Sequence, residues 1–103
     1  MNFPIAVTNV KLNQLDDSWS GMAQLSGQDQ AYKVLIFKRD ESYRLISAYC
    51  PHQGLDLTNV PIENDGNLVC PFHGWRIGVF CQNAMSYVVE RQGENFVVVS
   101  EET

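Results

Sequence analysis

Two short Cys-His pairs limit what this chain can fold into more than any other feature. Cys50-Pro51-His52 sets a thiol and an imidazole one residue apart, and Cys70-Pro71-Phe72-His73 sets the second pair two residues apart. Seventeen residues lie between His52 and Cys70. The chain has no other histidine, and Cys81 is its only further cysteine. Each pair adjoins proline and glycine (Gly54 and Gly74 among them), which favour tight loops that can aim two side chains at one place. A fold for this chain must therefore carry two loops, remote in sequence, to the same point.

The flanking sequence supplies short strands. Ala31 to Lys38 is rich in β-branched and aromatic residues, and its apolar positions fall on both parities, as a strand buried on both faces requires. Arg39-Asp40-Glu41 turns it into a strand over Ser42 to Ala48. Met85 to Arg91 and Asn95 to Ser100 flank Gln92-Gly93-Glu94, a second hairpin. Asn64-Asp65-Gly66-Asn67 is a strong turn signal ahead of Leu68-Val69. Trp19 to Leu25, Trp75 to Cys81 and Ile5 to Leu12 are weaker strand candidates. No window shows a capped helical repeat. At 103 residues the chain is expected to form one domain, residues 1–103, all-β, as an antiparallel barrel or sandwich. Residues 49–75 should form loops standing on it, where chemistry tends to sit.

Thiolate and imidazole together suit zinc or an iron–sulfur centre. Zinc knuckles usually space their ligands by two to four residues, so the single residue between Cys50 and His52 is short for zinc. Two loops, each offering one thiolate and one imidazole, match a cluster with one iron held by two Cys and the other by two His. The run C-x-H, seventeen residues, then C-P-x-H-G-W resembles the Rieske [2Fe–2S] domain, in particular the soluble ferredoxin type. That resemblance implies one [2Fe–2S] cluster, with Cys50 and Cys70 on the inner iron and His52 and His73 on the outer.

The resemblance also has departures. High-potential Rieske proteins of respiratory and photosynthetic complexes carry an extra cysteine in each loop, joined as a disulfide, where Leu55 and Phe72 stand here. They carry a serine where Trp75 follows Gly74. Both differences point to the low-potential branch. Rieske ferredoxins usually continue into a proline-containing loop over the cluster, whereas residues 76–84 contain no proline. The covering loop is expected to be short or missing.

Among other residues, Cys81 reads as a free, half-buried strand cysteine. Trp75 either docks a partner or packs beneath its loop, and Leu55 and Phe72 suit an apolar docking rim, together with Gln53. Asp16-Asp17 and Glu101-Glu102 read as solvated charges. No Lys or Arg occurs from Leu45 to Trp75, while Asp56, Glu63 and Asp65 do. That stretch is either a solvated acidic face or one where Asp56 and Glu63 steer a basic partner.

Once both histidines are ligands, no nucleophile with a free base remains, and no phosphate-cradling glycine loop is present. A net charge of −5 disfavours nucleic acid and anionic membranes. No stretch reaches the ~20 apolar residues of a membrane span, and the N-terminus lacks a basic leader region. A cytoplasmic protein, monomeric when free, is the expectation. The family resemblance implies a one-electron carrier between a reductase and an oxygenase or other redox enzyme. It leaves open a small subunit of a larger redox enzyme, such as an assimilatory nitrite reductase, and a redox- or iron-sensing interaction module.

Overall fold

Eight strands, β1 (Ile5–Leu12), β2 (Ser18–Ala23), β3 (Tyr32–Arg39), β4 (Ser42–Ser47), β5 (Asn67–Val69), β6 (Arg76–Gly78), β7 (Tyr87–Gln92) and β8 (Asn95–Glu101), make up the regular structure of the computed structural model. Residues 4–14, 17–25, 29–49, 56–70, 74, 76–80 and 86–101 are described. Strands β1-β2-β3-β4-β7-β8 form a closed antiparallel barrel, and β5 and β6 form a separate two-stranded sheet. Closure joins β1 to β8, with Val7 opposite Phe96, so the barrel has no free edge. Among the described residues no helix is long and apolar enough to cross a membrane.

The double parity of β3 has a direct cause. Val34 and Ile36 point into the barrel, where they pack with Val7, Ala23, Leu25, Leu45, Val89, Phe96 and Val98. Leu35 and Phe37 point outward and pack with Ile46, Ala48, Leu57, Leu68, Cys70, Ile77 and Val79. This strand is thus a wall shared by two cores, and the second core is the floor under the β5–β6 sheet. Strand β4 repeats the division, with Leu45 inward and Ile46 outward.

The tight turns behave as their residues dictate. Arg39 pairs with Ser42, leaving Asp40 (φ 56°) and Glu41 as the two-residue turn. Gln92 pairs with Asn95 around Gly93 (φ 66°) and Glu94. A positive φ at the first turn residue suits the twist of a hairpin, and glycine or a short polar residue accepts it at least cost. Both turns lie at one end of the barrel, where Trp19, Tyr43 and Phe96 meet with ring centroids 5.3–5.9 Å apart. The chain leaves β4 and returns to β7 at the opposite end.

Most strand expectations hold to within two residues, and Ile5–Leu12 holds at both ends. Two need correction. Strand β2 stops at Ala23, not Leu25, although Leu25 is still buried. The strand expected from Trp75 to Cys81 is described only as Arg76–Gly78; Trp75 and Cys81 lie outside the described residues, as does Met85.

Candidate metal centre

The two loops that carry the Cys-His pairs spring from neighbouring points. The first leaves β4 through Ala48 and Tyr49 and returns at Asp56, which bridges back to Tyr49. Its closure is reinforced where the Leu57 N–H donates to the Ala48 carbonyl at 2.7 Å. The second leaves β5 at Cys70 and returns through Gly74, whose N–H donates to the Cys70 carbonyl at 2.9 Å. Gly74 has φ +67°, a conformation that side-chain-bearing residues rarely take, so glycine permits this sharp reversal. Val69 and Arg76 then resume pairing on either side.

Both loop bases rest on one apolar floor. Ala48 and Leu57 from the first, Leu68 and Cys70 from the second, and Ile77 from β6 share a single buried cluster. Cys70 is fully buried there. Of the four expected ligands it alone is among the described residues. Cys50, His52 and His73 lie outside them, as do Gln53, Leu55, Phe72 and Trp75. The described residues fit the Cys70 side of a two-loop centre on three counts. Two loop bases converge, a cysteine is sequestered from water at one of them, and aliphatic side chains surround it. A dry shell of this kind controls solvent access to a metal centre.

The acidic stretch proves to be compensated from outside itself. Asp56 Oδ2 accepts from Lys33 Nζ on β3 at 2.9 Å. Its other oxygen accepts from the Thr58 N–H at 2.9 Å and from the Thr58 hydroxyl. Partial burial pushes the Asp56 carboxyl up, but the Thr58 and Lys33 hydrogen bonds outweigh it and hold the group at about 2. Arg76 reaches Asp65 at 2.9 Å and Glu63 at 3.8 Å. The Asn67 hydrogen bonds, followed by the Arg76 charge, lower the Asp65 carboxyl below its usual range. Each of these acids thus has a cationic partner, Arg76 being shared by two of them, so the stretch is partly compensated and steering by Asp56 and Glu63 is weakened.

Three structural residues were not singled out in the sequence. Lys33 secures the first loop. Arg39 donates to the Glu63 carbonyl at 2.7 Å and to that of Asn64 at 3.4 Å, fastening the barrel to the β5–β6 sheet. Phe80 lies under the guanidinium groups of Arg39 and Arg44, 5.4 and 5.8 Å from its centroid. Only the scarcity of bases in residues 45–75 hinted at such cross-connections.

Comparison with known proteins places these loops in context. A family model described as the Rieske [2Fe–2S] domain matches residues 9–86, which include both loops. The ferredoxin component of an alkene monooxygenase system from Xanthobacter autotrophicus (strain ATCC BAA-1158 / Py2) is 29% identical over 65 residues, covering 63% of this chain and 52% of that protein. The oxygenase component of a 3-ketosteroid-9-alpha-monooxygenase from Rhodococcus rhodochrous is 41% identical over 39 residues, 38% of this chain and 10% of that one. A cholesterol 7-desaturase from Ciona intestinalis is 50% identical over 32 residues, 31% and 7% respectively. The chain thus spans about half the length of the first relative and a small part of the other two. No solved structure matches significantly.

Proposed function

The chain belongs to the Rieske [2Fe–2S] domain family, and from that premise we propose that it is a one-electron carrier serving an oxygenase or another redox enzyme. The observation that carries this reading is the family match across both loops, joined by likeness to a protein named as the ferredoxin component of a monooxygenase system. The family's [2Fe–2S] cluster supplies a site that accepts and returns one electron. In this chain Cys50 and Cys70 would hold one iron as thiolates, and His52 and His73 the other through ring nitrogens.

The chain's own residues do the rest. Leu57, Leu68 and Ile77 form the apolar floor that keeps water from the Cys70 side. Gly74 reverses the second loop, so that its two ligand positions share one short segment. The residues of the first loop and of Pro71–Trp75 bear no Asp, Glu, Lys or Arg. Uncharged segments bearing Leu55, Phe72 and Trp75 would suit close contact with a protein partner, where desolvating charges would be costly. As a carrier the protein would work as a cytoplasmic monomer, meeting a reductase and a terminal oxygenase rather than nucleic acid or a membrane.

The matches to single stretches of two longer proteins favour a second reading, a fixed redox module of a larger enzyme. Coulometric titration of purified protein tests the proposal. One reversible electron per chain is expected, with a midpoint in the lower third of the roughly −150 to +300 mV Rieske range and flat from about pH 6 to 8. A midpoint well above 0 mV would contradict the ferredoxin assignment. Isolation from the source cell in a stoichiometric complex would support the fixed module instead.

A further inference from the structure

We propose that Lys33 is a positioning residue for the cluster, holding both ends of the first ligand loop through two different groups. Its backbone carbonyl accepts from the Ala48 N–H at 3.1 Å, where the chain enters the loop. Its ammonium group donates to Asp56 Oδ2 at 2.9 Å, where the chain leaves it. Lys33 pairs with Met22 of β2, and its neighbour Val34 pairs with Ser47 of β4, so β3 is hydrogen-bonded on both sides and the Lys33 backbone is a fixed reference.

The neighbouring bonds show why the ammonium matters. Thr58 occupies Asp56 Oδ1 with two donors, and Lys33 occupies Oδ2. Together they set the carboxylate, and the Tyr49–Asp56 bridge and the Leu57–Ala48 hydrogen bond pass that placement to the loop's two stems. Six residues, 50–55, including the positions of Cys50 and His52, are spanned by this clamp. The ion pair is partly exposed, with side chains 28% and 47% accessible, so its effect on global stability is small. Its consequence is local. Groups that orient metal ligands from outside the ligand set typically alter metal retention by roughly 10–100-fold when removed. The inference rests on the reading that residues 50–55 carry cluster ligands.

Holoprotein and the variants Lys33→Met, Asp56→Asn, Lys33→Arg and Arg91→Gln test it. Arg91 braces the far hairpin by donating to the Gly93 carbonyl at 2.9 Å, and serves as a remote control. Iron and sulfide are measured first, then bleaching of visible absorption under an iron chelator and the electron paramagnetic resonance spectrum of the reduced protein. Lys33→Met and Asp56→Asn are expected to bleach roughly tenfold faster and to show shifted or broadened g-values. Lys33→Arg should restore most of the retention, and Arg91→Gln should behave as the parent. Hydrogen exchange over residues 48–57 should quicken in Asp56→Asn while β8 stays unchanged.

Parental bleaching rates and spectra in both Lys33→Met and Asp56→Asn would overturn the proposal, as would equal acceleration by Arg91→Gln. Unchanged exchange over residues 48–57 would do the same. Absence of iron and sulfide from the parent protein would instead overturn the functional reading on which this one rests.

Discussion

Asp56 illustrates how a single side chain links charge, loop and stability. Its carboxyl is held at about 2 against an ordinary 3.8, so folding favours the ionised form. A depressed carboxyl contributes stability above its unfolded value and loses it as pH falls through the folded one. Discounted for exposure, that contribution is roughly 1 kcal/mol at neutral pH. Melting temperatures of the parent and Asp56→Asn are thus expected to differ at pH 7 and to converge between about pH 4 and 2. A difference that persisted unchanged to pH 2 would show that Asp56 acts by shape alone. None of this was legible in the sequence, because Lys33 stands 23 residues from Asp56 and only the fold brings them together.

Among the elements, β3 was the most legible and the β5–β6 sheet the least. A run such as Val34-Leu35-Ile36-Phe37 can only be buried on both faces, and the structure shows a separate core on each. Strands β5 and β6 are three residues each, too short for any periodic signal; the turn at Asn64–Asn67 announced β5, and β6 lay within the weak candidate Trp75 to Cys81. Strand β1 hides a different feature. Its register with β2 shifts between Thr8 and Lys11, with Asn9 at φ 54°, a bulge that no alternation pattern would reveal. Gly21 faces this bulge, and a Cβ there would lie 2.7 Å from Val7 Cγ1. The two cores make separable predictions. Phe96→Ala, in the barrel, should cost about 3–5 kcal/mol in chemical denaturation and leave the visible spectrum of the folded protein unchanged. Leu68→Ala, next to Cys70 in the floor, should cost about 2–5 kcal/mol and also hasten cluster loss. Identical effects of the two on cluster retention would mean that the floor has no special role.

For the whole molecule, the architecture follows from the need stated by the two Cys-His pairs. A closed barrel offers a rigid wall, β3 and β4 present apolar side chains outward from it, and a small sheet covers them with its loop at Cys70. The all-β class and the cluster family were legible because turn residues, strand patterns and ligand spacing are local properties, whereas residues 49–75, read as loops, also hold strand β5 (Asn67–Val69). The charge layout was not. The negative stretch from Leu45 to Trp75 looked one-sided, yet Lys33 and Arg76 enter from either side of it in sequence and pair with Asp56, Asp65 and Glu63. The expected strand character of Cys81 lies outside the described residues, and of residues 76–84, where a short or missing cover is expected, only 76–80 are described. What binds the account together is the ligand set, and the chain's two histidines make it directly testable. Electron–nuclear double resonance of the reduced protein, produced with 15N-labelled histidine, is expected to show two strongly coupled histidine nitrogens, one from His52 and one from His73. A reduced cluster with no coupled histidine nitrogen, held by thiolates alone, would contradict it.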